Sequence, residues 1–452
     1  MIKTVNKFKY LLLILLISAF VIGNMKAMAG NTKPHPKPLH TQPKDDDEEV
    51  VTNLIAHSDD GIFNSNASYT FEVKNTYHTD QEGRVAYVVT TPAGKPVAKD
   101  SVSVKISKNS SNSYHFTVPA MKPGFYKINF MINVSDYDDT TRRAFGIRPK
   151  EIRSGNPRPA DFDSFWQTAK TELAAVEPNY KVTEKPELEK DNRRVFLFEM
   201  KSLDNITVRG WLTIPKGSSK SRRFPVFVGL PGYQVDLKPM LGEDEDLAIL
   251  TINVRGQGNS RDVIHTKRED YITLNIEDKN KYVLRGAIMD CVRTIDFICS
   301  RPDLDPERIE ISGGSMGGFL AVALASLDSR VKLVSAQNPI LGDIRNLVGV
   351  ADWPMNDIKK YVDNKPGLSF PKILDNLDYF DIKNFAPTIK SPILVGIGLL
   401  DPLAPPANEF AFYNNIPSKY GRIRIFKDLG HEVPKSFLEE DGHWMRDTFG
   451  LF

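Results

Sequence analysis

Three residues of this chain have the types and the order that nucleophilic catalysis requires: Ser315, Asp401 and His431. The serine lies in Gly313-Gly314-Ser315-Met316-Gly317, a G-x-S-x-G pattern. It sits between a branched, strand-like run (Arg308 to Ser312) and a stretch of good helix formers (Met316 to Leu327). Such a strand–turn–helix can hold a nucleophile on a strained turn, crowded by neighbouring chain on both sides. A serine hydroxyl attacks a carbonyl only when a base takes its proton and a third group orients that base. Of eight histidines, five fall in a linker and a β-patterned region, His265 precedes the serine, and His443 belongs to a terminal helical pattern with a surface position expected. His431, just after the strand-like "RIRIFKD", is the remaining base. Asp401 follows the apolar run "PILVGIG" and is the favoured acid. Asp357, Asp363, Asp375, Asp378 and Asp381 also lie between serine and histidine, but in an irregular segment. The chemistry implied is acyl transfer, whose tetrahedral intermediate needs two N–H donors. One would be the main chain of Met316. The other would come from "PGYQVD", where Gly232 and Tyr233 are candidates and Tyr233 is favoured.

These side chains need a scaffold that brings the ends of several strands together. From about residue 149 onward, strand and helix patterns alternate. "RVFLFEMKS" and "ITVRGWLTIP" read as a hairpin, "FPVFVGL" and "LAILTINV" as buried parallel strands, and "YVLRGAIMDCVRTIDFICS" as a five-turn helix. "RIEIS", "KLVSAQN", "PILVGIG" and "RIRIFKD" follow as further strands. A βαβα series implies a mostly parallel central sheet with helices on both faces. Serine, acid and histidine then each lie just past a strand's C-terminal end, where sites of open α/β sheets assemble. The order Ser, Asp, His is that of the α/β-hydrolase fold, expected here over residues 149–452.

Ahead of it, residues 50–148 alternate apolar and polar positions in "ASYTFEVKNTY", "RVAYVVTTPAGKPV", "DSVSVKIS", "SYHFTVPA" and "GFYKINFMINV", separated by turn formers. Five to seven short strands in that length imply a small β-sandwich of immunoglobulin-like type. Residues 30–49, rich in proline and charge, read as an extended linker, with His35 and His40 solvated. The first 29 residues have the basic start, short apolar core and Ala27-x-Ala29 ending of an export signal. The apolar run is short for a membrane span, so no anchor is expected after cleavage. A hydrophobic fraction of 41%, a charged fraction of 26% and a net charge of +2 describe an ordinary globular chain with no call on nucleic acid. Cys291 and Cys299, eight residues apart in one helix, are too far apart to bridge and are expected to be buried.

Several motifs together resemble a known family. "NVRGQGNS", "GGSMGG" and "GHE" occur in the order seen in the acetyl xylan esterase and cephalosporin-C deacetylase family, carbohydrate esterase family seven. "DFDSFW" and the long stretch around Asp401 are also similar, so the resemblance runs from about Pro157 to the C-terminus. It implies a triad of Ser315, Asp401 and His431, and oxyanion donors on the backbone of Tyr233 and Met316. Arg255, Gln257 and Glu432 fall on the family's supporting motifs, and the first two are expected to brace the nucleophile turn. The chain departs where the family has His-Gly-Tyr and this sequence has Pro231-Gly232-Tyr233, and where the family has Gln and this sequence has Met316.

The implied activity is removal of acetyl groups from sugar hydroxyls, especially on xylo-oligosaccharides, without metal or cofactor. Residues Gly349 to Phe370 would line the substrate mouth, with Trp353 as a stacking surface. Some members form ring-like hexamers, and the extra β-region competes for the surface they use, so self-association stays open. The domain arrangement favours the periplasm of a Gram-negative bacterium over the medium. Two rivals stand beside this reading: a serine peptidase of prolyl-oligopeptidase type, whose large propeller is missing here, and a glycan-binding protein with a retired hydrolase region.

Overall fold

The computed structural model describes residues 49–216, 223–242 and 245–451. The expected export signal and nearly all of the expected linker, with His35 and His40, lie outside the described residues.

The first region is a two-sheet sandwich. Its strands are β1 (Val50–Ala56), β2 (Ile62–Phe63), β3 (Ala67–Asn75), β4 (Gln81–Thr90), β5 (Pro96–Ile106), β6 (Ser111–Val118), β7 (Gly124–Val134) and β8 (Tyr137–Ile147). One sheet has the order β1-β3-β6 and the other β2-β8-β7-β4-β5. The short β2 pairs parallel with β8 while all other sandwich pairs are antiparallel. The leading edge is thus split between the two sheets, an immunoglobulin-like arrangement. Alternation drives it: in β7, Phe125, Ile128, Phe130, Ile132 and Val134 are buried, and Phe130 is ringed by Tyr69, Phe71, Tyr87 and Phe116. Eight strands form where five to seven are expected: β1, β2 and β8 lie outside the quoted runs, β8 because its first seven residues, "YDDTTRR", present no apolar face.

The second region is one nine-stranded sheet. Its members are β9 (Lys181–Glu184), β10 (Arg193–Lys201), β11 (Thr207–Pro215), β12 (Phe224–Gly229), β13 (Ala248–Asn253), β14 (Leu304–Gly314), β15 (Leu333–Gln337), β16 (Ile393–Gly398) and β17 (Gly421–Phe426). The order is β17-β16-β15-β14-β12-β13-β11-β10-β9; β12 to β17 run parallel and β9 to β11 antiparallel. Every residue of β12, β13, β15 and β16 is buried, as strands covered on both faces must be. Val226 and Val228 face one helical layer, while Phe227 between them joins Ile249, Leu333, Met445 and Phe449 on the other.

The helices are α1 (Phe162–Ala174), α2 (Val283–Ser300), α3 (Met316–Leu327), α4 (Met355–Asp363), α5 (Phe370–Leu377), α6 (Ile382–Phe385), α7 (Pro406–Tyr413) and α8 (Lys435–Phe449). Helices α2 and α3 pack on the first face and α8 on the second. Cys291 is buried in α2, but Cys299 is exposed, against expectation. Eight residues advance a helix by about 800°, leaving Cys299 roughly 80° off the buried stripe and one residue from the helix end. His443 is exposed on α8. No helix among the described residues is long and apolar enough to cross a membrane.

The two regions meet along a seam. Phe125 of β7 tilts against Phe410 of α7 at 5.4 Å, and Arg143 of β8 pairs with Asp428 at 3.2 Å. Gly61 lies against Leu399 and Lys427, two residues that flank the strand ends where the site forms. A cavity of about 350 Å³ opens along the seam between β1, β8 and Lys427-Asp428.

Candidate active site

The turn that carries Ser315 is shaped by close packing. Ser315 has φ 59° and ψ −122°, a conformation that costs a non-glycine residue on the order of 1–3 kcal/mol and must be imposed by its surroundings. The imposition comes from helix α3, which starts directly on the loop after β12. A Cβ at Gly317 would stand 2.5 Å from the carbonyl oxygen of Leu230, and one at Gly313 would stand 2.6 Å from the carbonyl carbon of Gly317. Only glycine at both positions lets the turn close. Ser315 N–H donates to Gln337 O at 2.8 Å, tying the turn to the end of β15. The serine is partly exposed.

The loop after β16 carries Asp401, 4% exposed, and the loop after β17 carries His431, 8% exposed. His431 Nδ1 lies 2.7 Å from Asp401 Oδ2. The other oxygen, Oδ1, accepts from the main-chain N–H groups of Leu403 and Ala404, each at 2.8 Å. Two fixed donors therefore hold the carboxylate and turn its free oxygen toward the ring. The opposite ring nitrogen, Nε2, is buried with no hydrogen-bond partner among the described residues. A buried polar atom left unpaired is unusual in a folded protein and needs a reason; a reacting hydroxyl would satisfy it. No hydrogen bond joins Ser315 Oγ to Nε2 among the described residues, and such contacts commonly tighten only with substrate present. Four of the five alternative acids have other engagements: Asp381 pairs with Lys383 at 3.2 Å, Asp363 with Lys359 at 2.7 Å, and Asp375 and Asp378 hold Arg345.

The loop after β12 brings Tyr233 to the same place, with Gly232 close to Gly314 O. Among the described residues, no group accepts from the main-chain N–H of Tyr233 or of Met316, the first residue of α3. The first N–H groups of a helix have no partner within it and favour negative charge. The Tyr233 ring is held away from the donors, because its hydroxyl donates to Arg268 O at 2.8 Å and accepts from Ile272 N–H at 3.2 Å. Trp353 packs edge-on against Tyr233 at 4.9 Å and is half-buried. It is thus fixed against the oxyanion loop.

The supporting residues divide. Gln257 is fully buried and its Nε2 reaches Met316 Sδ at 3.6 Å, so it does touch the nucleophile turn. Arg255 does not, contrary to expectation. Its guanidinium grips Asp290 of α2 through two bonds of 3.0 and 2.8 Å and also donates to Leu203 O and Asp204. Burial lowers its pKa, but the charge and hydrogen bonds of Asp290, together with the Asp204 charge, outweigh this and raise it above the usual value. Arg255 is a buried tie between the loop after β13 and helix α2. Glu432 acts through its carbonyl, which accepts from Asn338 Nδ2 at 2.9 Å, while its side chain is exposed.

Two buried groups were invisible to motif reading. Glu409 of α7 is 1% exposed with neither carboxyl oxygen partnered. Burial first, and the Asp401 charge second, push its pKa well above the carboxylate range. Its surroundings therefore favour the neutral acid over a second charge beside Asp401. Asn338, 2% exposed and directly after β15, is the other. No group of three or more His, Cys, Asp or Glu among the described residues could hold a metal ion.

A nine-stranded, mostly parallel sheet with serine, acid and histidine just past the C-terminal ends of β14, β16 and β17 defines an α/β-hydrolase. Residues 148–447 match the acetyl xylan esterase (AXE1) family, and the chain belongs to that family. It is a serine esterase of the carbohydrate-esterase class. It is 24% identical over 363 residues to the acetyl esterase Axe7A of Xylanibacter ruminicola, covering 75% of this chain and 77% of that one. Among solved structures, the acetyl xylan esterase from Paenibacillus sp. R4 superposes with a TM-score of 0.60 at 29% identity, over 66% of this chain and 98% of that one. Acetyl xylan esterase 1 from a Thermoanaerobacterium species gives 0.59 at 24% identity, over 67% and 98%, and supports the fold.

Proposed function

We propose that the protein is an exported acetyl esterase that deacetylates xylo-oligosaccharides or related sugars through an acyl-enzyme on Ser315. The observation that carries the reading is the His431 ring, fixed by Asp401 on one nitrogen and unpartnered on the other, in a chain of this family. In the first half-reaction Ser315 Oγ bonds to the acetyl carbonyl carbon as His431 Nε2 takes the hydroxyl proton. Asp401 stabilises the resulting imidazolium. The oxyanion accepts from the N–H groups of Tyr233 and Met316. Collapse breaks the ester bond, and His431 returns the proton to the departing sugar oxygen. Water then repeats the sequence on the acetyl-serine, releasing acetate and restoring the hydroxyl. Trp353 borders this site, and a half-buried aromatic there offers a sugar ring a stacking surface. The export-type N-terminal sequence supports a location outside the cytosol, and the domain arrangement favours the periplasm over the medium.

The test is acetate release from acetylated xylo-oligosaccharides by wild type beside Ser315→Ala, with a long-chain acyl ester as comparison. Acetate release that Ser315→Ala abolishes, with the long ester poor, upholds the reading. A wild type inactive on these substrates and on a simple activated acetate ester sinks it.

A further inference from the structure

Asn338 follows β15 directly and is 2% exposed. Its bonds nonetheless reach the segments that carry both partners of the serine. The main-chain N–H donates to Gly396 O of β16 at 2.8 Å. The side-chain Oδ1 accepts from Gly398 N–H at 3.0 Å, at the end of β16 and three residues before Asp401. The side-chain Nδ2 donates to Glu432 O at 2.9 Å, immediately after His431. Its neighbour Gln337 accepts from Ser315 N–H at 2.8 Å and adds a longer bond of 3.4 Å to Glu432 O. One dipeptide therefore joins the serine turn, the acid loop and the histidine loop.

The residue type is narrowly required. Gly398 N–H can only donate and Glu432 O can only accept, so the side chain must offer one donor and one acceptor on a short stem. A neutral carboxamide does this; aspartate lacks the donor, and serine has a single polar atom in place of two. The backbone at 338 also has φ 41°, in the left-handed region that asparagine tolerates better than branched residues. We propose that Asn338 is a positioning residue that sets the Asp401 and His431 loops in register with the serine turn. The proposal rests on the Ser315–Asp401–His431 reading above.

The experiment uses three variants of the full chain. Asn338→Gly keeps the left-handed backbone and removes both side-chain bonds. Asn338→Asp keeps the acceptor for Gly398 and sets an oxygen against the Glu432 carbonyl. Ser391→Ala is the control: it removes a buried bond to Val331 O at the opposite end of β16, far from the site. Kinetics on an activated acetate ester are read together with the downfield proton resonance of the His431–Asp401 hydrogen bond. Misplacement of catalytic groups by about 1 Å costs on the order of 100-fold. The expected result is a kcat lowered about 10- to 100-fold in both Asn338 variants, KM changed less than threefold, and the resonance moved or lost. Ser391→Ala should melt earlier with kcat and resonance unchanged. Either Asn338 variant, folded by circular dichroism, with kcat within twofold of wild type and an unmoved resonance overturns the proposal. So does a rise in KM at constant kcat. Residual activity in Ser315→Ala would instead sink the triad reading itself, which separates the two failures.

Discussion

The sandwich and the hydrolase sheet solve the same burial problem with different tolerance for unpaired groups. In the sandwich, alternation places apolar side chains inward, and no buried side-chain polar atom among its described residues lacks a partner. Even its buried Asn75 makes three bonds to main-chain oxygens. All the buried orphans belong to the hydrolase region: Gln257, Glu310, Gln337, Glu409, His431 and Asp441 among them. Ser315, at φ 59°, is there too. A region that only has to be stable can satisfy every group. One that has to react keeps some atoms unsatisfied and some backbone strained, held by the packing around them.

That contrast can be broken experimentally. The largest effect should come from Asp401→Asn, which keeps the geometry but favours the wrong ring tautomer; kcat for acetate release should fall about 10⁴-fold with little change in melting temperature. A loss under tenfold would mean Asp401 is not the orienting acid. The reverse signature is expected from Phe130→Ala in the sandwich core, where denaturant unfolding should show a loss of about 3–5 kcal/mol with kcat at 25 °C unchanged. A changed kcat in the folded variant would mean the sandwich contributes to the chemistry.

Smaller still is a pH effect under the sheet. Glu310 of β14 and Asp441 of α8 are buried together, and Ser312 Oγ donates to Asp441 at 3.2 Å. Burial pushes Asp441 up to about 6 from its ordinary 3.8, and burial with the Asp441 charge pushes Glu310 well above its usual range. Both groups hold protons more tightly folded than unfolded. The stability they confer is full below about pH 4; the share of Asp441 is lost as pH rises through 6 and that of Glu310 at higher pH. A Glu310→Gln, Asp441→Asn double variant should therefore gain on wild type between pH 4 and 7, by about 2–3 kcal/mol, in unfolding curves at the two pH values. Parallel pH dependence in both proteins would remove these two groups from the account.

Much of this architecture was legible because two periods, 2 and 3.6, alternate cleanly along the chain. The strands of "FPVFVGL" and "PILVGIG" announce themselves as buried runs, and the glycines around Ser315 mark a turn. The order of strands in space was not legible, since β12 lies between β13 and β14 through contacts far apart in sequence. Glu310 carried no signal of another kind: a charged residue inside "RIEIS", it is 1% exposed, because a central parallel strand has no outward face. Asn338 carries no signal at all by itself: an asparagine before a proline reads as an ordinary turn. Only the positions of Gly398 and Glu432, 60 and 94 residues later, give it a role.

The seam between the two regions has a consequence for how the molecule breathes. The amides of Leu399 and Leu400 bond to Phe426 O and Leu429 O, and Gly61 of the sandwich lies against Leu399, which is 3% exposed. Exchange of the Leu399 amide needs its bond to Phe426 O to open, and the packing of Gly61 on the Leu399 side chain opposes that opening, so a substitution that loosens the seam should quicken exchange two residues from the acid that orients the histidine.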